Sequence, residues 1–124
     1  MGYSKGTLAG DFIEGVLSEL NGAIAISVVE NTAELSMDTY SVRDTFDPDV
    51  ACANIIEVVK AQQQTIKALQ LNETIKDLFI TMDTQVHFVT MSKNGKALFY
   101  VVADSQGANL SIMRSIIRKY AKGI

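Results

Sequence analysis

The sequence predicts an α+β fold in which helices cover both faces of a five-stranded, mostly antiparallel sheet. Two runs, residues 23–29 and 98–103, are dominated by apolar side chains, which is typical of strands buried on both faces. Short polar turns between β-rich segments predict hairpins. Three segments with helical apolar spacing supply the cover that such strands require. The predicted order of elements is α-β-β-α-β-β-β-α, an α/β/α sandwich.

A helix and a hairpin are predicted at the start of the chain. Apolar residues within 7–20 recur at helical spacing, and Asn21-Gly22 ends this helix with glycine in the left-handed region. The run 23–29 then forms the first strand, and the short segment 34–37 pairs with it as the second. Residues 38–50 are polar and are predicted to form a loop.

A long helix is predicted to follow the only proline in the chain. Pro48 suits the first helical turn, and Asp47 before it can cap the helix. No Gly or Pro then interrupts the sequence as far as Leu71. Four apolar residues share one predicted face: Ile55, Val59, Ile66 and Leu69. The middle of the helix is rich in glutamine, which is unusual for a helix that only covers a core, so one face is expected to meet a partner.

Three strands and a helix complete the predicted fold. Residues 76–82 and 85–91 are β-rich runs separated by two residues, which predicts a hairpin. Asn94-Gly95 is a strong hairpin signal and leads to the strand 96–103. Because this strand carries the second apolar run, it is expected in the middle of the sheet beside the first strand. The apolar spacing from Leu110 onwards predicts the last helix.

The connector 104–109, between the last strand and the last helix, resembles a phosphate-binding turn in outline. A P-loop needs a second glycine followed by Lys-Ser or Lys-Thr, and a dinucleotide-binding turn needs three glycines. This connector contains a single glycine, Gly107. It is therefore predicted to reverse the chain, with Ser105 or Asn109 capping the last helix. Binding of a small ligand there remains an alternative.

The sequence offers no recognisable catalytic or metal-binding pattern. His87 is the only histidine and Cys52 the only cysteine. These two residues are too few to form a metal site. A Cys–His pair would need these residues to meet across the fold, and nothing in the sequence orients the histidine. We expect a surface or edge-strand histidine and a core thiol. The acidic loop 38–50 lacks the glycine and distal glutamate of a calcium loop, so no catalytic residue, metal or cofactor is predicted.

Length and charge narrow the possible partners. The 124 residues suit one domain, 1–124, and a net charge of −3 without a basic run disfavours nucleic-acid binding. Four basic residues gather near the end of the chain: Arg114, Arg118, Lys119 and Lys122. They are interpreted as complementing the dipole of the last helix, with a binding patch as the alternative. Neither a membrane span nor a signal peptide is recognisable, so we expect a cytoplasmic protein.

Two stretches resemble domains of the roadblock / dynein light chain family. Residues 17–29, "LSELNGAIAISVV", match the helix end, small-residue turn and apolar strand with which these domains open. Residues 94–120 match their closing hairpin, apolar strand, polar turn and helix starting near Asn-Leu. One departure is Glu30-Asn31-Thr32, where many members carry an Asp-Gly turn. The resemblance covers nearly the whole chain and implies a profilin-like α/β/α sandwich.

The resemblance also implies a non-enzymatic homodimer. Family members typically pair through the edge strand after the long helix and through the long helices themselves. The corresponding strand residues are Asp77, Leu78, Phe79, Ile80, Thr81 and Met82. The corresponding helix residues are Ile55, Val59, Gln62, Gln63 and Ile66. Such pairing explains the polar middle of the helix and covers an edge strand that would otherwise promote aggregation.

A small GTPase is the partner that the resemblance implies. Prokaryotic members are often regulators of Ras-like small GTPases in motility and polarity, and the GTPase would contact the paired long helices. Glu57, Lys60 and Gln64 are candidates, chosen from helical phase alone. The expected function is therefore a regulator or scaffold for a small GTPase. The alternatives are a structural dimerisation module that tethers motor or signalling components, and a small-ligand sensor.

Overall fold

A computed structural model gives the structure of the protein and describes residues 3–30, 35–107 and 109–122. The elements are α1 (Leu8–Glu19), β1 (Ala23–Glu30), β2 (Leu35–Ser41), α2 (Pro48–Ala68), β3 (Asp77–Thr81), β4 (Gln85–Met91), β5 (Ala97–Asp104), a 3-10 turn (Ser105–Gly107) and α3 (Leu110–Ala121). This order confirms the predicted α-β-β-α-β-β-β-α arrangement.

The five strands form one antiparallel sheet in the order β2-β1-β5-β4-β3. Strands β1 and β5 are adjacent, and β5 is the central strand, as the two apolar runs predicted. The edges of the sheet are β2 and β3. Strand β3 is the edge strand that follows the long helix, which places it where the predicted self-association requires it.

Each face of the sheet carries its own apolar core. Helices α1 and α3 cover one face, where Phe12 and Met113 pack with Phe99 of β5. Helix α2 covers the other face, where Cys52 and Ile56 pack with the alternate residues of β5, such as Leu98. Successive side chains of a strand point to opposite faces. Residues 97–103 of β5 are therefore buried without interruption, because both faces of the strand are covered.

The predicted helix ends are confirmed at three places. Gly22, just beyond α1, has φ of +81°, the left-handed region that suits glycine. An Asp47 carboxylate oxygen accepts hydrogen bonds from the N–H groups of Asp49 and Val50 at the start of α2. Asn109 caps α3 in the same way, accepting from two N–H groups of its first turn.

Two boundary predictions were wrong. Residues 38–41 belong to β2 and pair with β1 in the register Ile26↔Tyr40, although their polar composition predicted a loop. An edge strand tolerates polar side chains because only part of it is buried. Leu69 was predicted on the inner face of α2, but it follows the last helical residue and 63% of it is exposed. The first hairpin's turn, residues 31–34, lies outside the described residues.

Candidate interaction surface

Strand β3 presents an open edge. In the described part of the chain its only strand neighbour is β4. The N–H of Met82 donates a hydrogen bond to the carbonyl of Gln85, with 2.8 Å between nitrogen and oxygen. The backbone groups of Met82 therefore point toward β4. Backbone groups alternate in direction along an antiparallel strand, which directs those of Asp77, Phe79 and Thr81 away from β4. A further strand can pair with this row of donors and acceptors.

The apolar side chains of β3 are anchored within their own chain. The Phe79 ring packs on Phe88 of β4 with 4.5 Å between centroids, on the face covered by α1 and α3. Leu78 and Ile80 pack against the core on the α2 face. Only Met82, just past the strand, is an exposed large apolar residue here. The strand therefore offers a partner mainly its backbone edge.

An ion-pair cluster fixes the start of β3 to α3. The carboxylate of Asp77 accepts hydrogen bonds from Arg114 Nε at 3.0 Å and from an Arg118 guanidinium nitrogen at 2.8 Å. Only 12% of the Asp77 side chain is exposed. The Arg114 guanidinium also lies 5.2 Å from the centre of the Phe79 ring, within the range of a cation–π contact. These contacts hold the edge strand in place.

Helix α2 buries some of its predicted interface residues and exposes others. Ile55 and Val59 are 4% and 2% exposed because they face the sheet of their own chain. Gln62 and Gln63 are exposed, and Ile66 is half-buried. The structure therefore brings the two glutamines to the surface, while the first two apolar residues serve the core. The homodimer interface itself stays a prediction.

The outward face of α2 combines polar and apolar side chains. Glu57, Lys60 and Gln64 are exposed, as the helical phase predicted, and Lys60 Nζ lies 3.5 Å from a Glu57 carboxylate oxygen. Val58 is 43% exposed and was not among the predicted contact residues. The sequence does indicate it, because Val58 is an apolar residue that lies off the inner apolar stripe of the helix.

Comparison with solved structures identifies the fold. No protein-family model matches the sequence, and no curated protein matches it. A roadblock/LC7 domain from Streptomyces avermitilis superimposes with a TM-score of 0.75 at 11% identity, covering 94% of this chain and 90% of the other. The chain has the fold of a roadblock/LC7 domain.

Two further solved structures share this roadblock/LC7 fold. Myxococcus xanthus MglB has a TM-score of 0.72 at 14% identity, over 95% of this chain and 92% of that one. A structure described as MglB with tetrameric arrangement has a TM-score of 0.75 at 15% identity, over 97% and 89%. Because these identities are low, the likeness establishes the fold alone.

Within this roadblock/LC7 fold, His87 is neither on the surface nor on an edge strand, contrary to expectation. It lies half-buried on β4, where Nδ1 is 2.5 Å from the Tyr100 hydroxyl and Nε2 is 2.9 Å from Gln85 Oε1. An amide oxygen can only accept, so Nε2 carries the proton and Tyr100 donates to Nδ1. Burial lowers the pKa of His87, which favours this neutral form.

The other buried polar groups on this face also stay neutral. Cys52 is a core thiol, as expected, and burial raises its pKa. Burial likewise raises the pKa of the Tyr100 hydroxyl. A thiol whose pKa is raised is a poor nucleophile at neutral pH. Among the described residues, no three His, Cys, Asp or Glu side chains come together to hold a metal ion.

The polar groups of the connector after β5 form hydrogen bonds within the chain. Ser105–Gly107 forms a 3-10 turn, in which the Ser105 hydroxyl donates to the carbonyl of Asp83 over 3.3 Å. The N–H of Gln106 donates to an Asp104 carboxylate oxygen over 2.9 Å. Asn109 caps the next helix, as predicted. Ala108 lies outside the described residues.

None of the described helices is long and apolar enough to span a bilayer.

Proposed function

We propose that the protein is a homodimeric, non-enzymatic regulator or scaffold that binds a Ras-like small GTPase. The roadblock/LC7 fold supports the proposal, and so does the fold likeness to MglB, which is described as a gliding protein in a Thermus thermophilus structure. The observation that carries it is the open edge of β3, which is available for pairing with a second protomer. The exposed outward face of α2 is available for the GTPase.

The proposed dimer forms when β3 of one protomer pairs antiparallel with β3 of a second. A two-fold axis makes every contact occur twice. Each outward N–H and carbonyl of Asp77, Phe79 and Thr81 then gains a partner, and the two sheets become one. The same axis brings the two α2 helices side by side, so Gln62 and Gln63 can hydrogen-bond across it. The tetrameric arrangement described for one MglB structure supports self-association of this fold.

The proposed GTPase site is the outward face of the paired α2 helices. Glu57, Lys60 and Gln64 supply charge and hydrogen-bonding groups, and Val58 adds an exposed apolar contact. A stable protein interface buries roughly 800 Å² on each partner. Two helices side by side approach this area more readily than one. The protein would act on GTP hydrolysis only by changing the shape of the GTPase.

Two experiments test the proposal in order. Light scattering during gel filtration should give the mass of a dimer, and a monomer at tens of micromolar protein would contradict it. Capture from the native lysate, read by mass spectrometry, should then recover a P-loop GTPase. Recovery should fail with the variant Glu57→Ala/Lys60→Ala/Gln64→Ala.

The control for the capture experiment is Glu14→Ala/Lys5→Ala, which changes two exposed residues away from α2. This variant should recover the GTPase as well as the unchanged protein does. A dimer that captures no GTPase from the lysate would instead favour the purely structural dimerisation module. A GTPase captured equally by all three proteins would place its contact elsewhere on the chain.

A further inference from the structure

Basic side chains from three separate parts of the chain line one open groove. The groove has a volume of about 520 Å³ and lies between the end of α3, the segment before β3 and the turn after β4. We call it the basic groove and define it by Lys76, Lys93, Arg118, Lys119 and Lys122. These are five of the eleven lysines and arginines in a chain of net charge −3. The dipole of α3 accounts for basic residues at its own end, but not for Lys76 or Lys93.

The charge of the basic groove is only partly balanced. Arg118 pairs with Asp77, and Lys119 Nζ lies 2.8 Å from a Glu19 carboxylate oxygen. The other three lysines are exposed, and within residues 3–30, 35–107 and 109–122 none of them has an ion-pair partner. Among the described residues that line the groove, none carries a carboxylate. Three ammonium groups are therefore available to an anionic ligand.

The shape of the basic groove fits a polypeptide better than a small ion. Its apolar lining includes Ile75, Met91 and Ala121, which an inorganic anion would not use. A second cavity of about 400 Å³, next to the end of α2, shares Ile75, Met91 and Lys93 with it. That cavity lies on the α2 side of the segment that precedes β3 and is also lined by Glu73. The basic groove lies on the α3 side, and its open shape with an apolar lining suits an extended chain.

We propose that the basic groove binds an acidic polypeptide segment of a partner protein. Carboxylates of the segment pair with Lys76, Lys93 and Lys122, and apolar side chains between them contact the floor. Three uncompensated lysines are too few for a nucleic acid, whose binding typically neutralises about six to ten phosphates. The site goes beyond the proposed function, since it uses neither the β3 edge nor the outward face of α2.

A synthetic peptide tests this binding directly. The probe is a fluorescent peptide of Glu-Leu-Glu-Ser repeats, and its matched control is the same peptide with Gln in place of Glu. Fluorescence anisotropy should show that the acidic peptide binds the unchanged protein, that added salt weakens binding, and that the Gln peptide binds at least about tenfold more weakly. An acidic peptide that fails to bind at low salt would overturn the proposal.

Charge-neutralising variants locate the site. Lys76→Gln/Lys93→Gln should weaken peptide binding by about tenfold, since it removes two of the three available ammonium groups. Lys5→Gln/Lys67→Gln changes the net charge equally at exposed positions outside the groove and should bind as the unchanged protein does. Equal weakening in both variants would show that only net charge matters and would overturn the proposal.

Two competitors separate the acidic segment from other anions. Inorganic pyrophosphate should displace the peptide only weakly, because it cannot contact the apolar floor. Vesicles of phosphatidylserine and phosphatidylcholine should bind the protein no better than vesicles of phosphatidylcholine alone. If the anionic vesicles bind through Lys76 and Lys93 while the peptide does not, the groove meets a membrane surface and the proposal is wrong.

Discussion

The hydroxyl of Tyr100 donates a hydrogen bond to Nδ1 of His87 across the β4–β5 pair, over 2.5 Å. Because Gln85 accepts from Nε2, the imidazole is held as a single neutral tautomer. Protonation of Nδ1 would remove the acceptor that Tyr100 uses and would place a charge in a half-buried site. The pair therefore couples the stability of the fold to pH.

Stability is expected to fall as the pH falls below about 6.5. Burial lowers the pKa of His87 in the folded protein from its ordinary value of 6.5, so the unfolded chain binds the proton more tightly. The loss begins near pH 6.5 and is complete below the folded-state pKa. Urea unfolding at a series of pH values measures it. His87→Gln should lack this part of the pH dependence, and an unchanged profile in that variant would contradict the assignment.

The ring of Tyr120 lies against Gly15, where α1 and α3 pack together. A Cβ built on Gly15 would lie 2.3 Å from Tyr120 Cδ1. Gly15→Ala should therefore lower the free energy of unfolding by about 1–3 kcal/mol through overpacking. In a Tyr120→Ala background the clash is gone, and the same change should raise stability by up to about 1 kcal/mol through helix propensity. Chemical denaturation of the four proteins measures both effects, and an equal effect in both backgrounds would contradict this packing.

Asp77 is expected to matter more for stability than an ordinary surface carboxylate. Its side chain is largely buried and accepts charge-assisted hydrogen bonds from Arg114 and Arg118. Asp77→Asn should lower the free energy of unfolding by about 1–3 kcal/mol. The matched control is Asp83→Asn, an exposed position in the next turn, which should change stability little. If both variants lose the same amount, the ion-pair cluster does not anchor β3.

The sequence predicted the fold wherever burial was complete. Strand β5 has no polar face because α2 covers one side and α1 with α3 the other, and this double cover is visible as an unbroken apolar run. Residues 38–41 gave no such signal, since β2 is an edge strand whose side chains are only half-buried. Propensity alone then favours a loop for a polar segment.

The candidate sites depended on contacts that the sequence does not contain. The apolar stripe of α2 predicted a shared face for Ile55 and Val59, but not that this face meets the sheet of their own chain rather than a partner. Lys76 and Lys93 join the end of α3 only through the strand order β5-β4-β3. The two predicted hairpins set this strand order, but the packing of α3 against the start of β3 is a long-range contact that no local pattern specifies.

The open edge of β3 yields the sharpest test of the proposed dimer. The N–H of Thr81 points away from β4, so Thr81→Pro removes a donor from the edge without breaking a bond to β4, and edge strands tolerate proline. Two-fold symmetry makes the loss occur twice, and the dimer should dissociate at least about tenfold more readily. Analytical ultracentrifugation measures this dissociation constant.

A matched variant isolates the backbone donor from the side chain at the same position. Thr81→Val keeps the N–H and a β-branched shape, so its dimer should match that of the unchanged protein. Phe79→Asp should also dissociate the dimer, but it removes the packing of Phe79 on Phe88 and can unfold the strand as well. Thr81→Pro avoids that ambiguity because Thr81 is exposed. If Thr81→Pro and Thr81→Val form equally stable dimers, the protomers do not pair through β3.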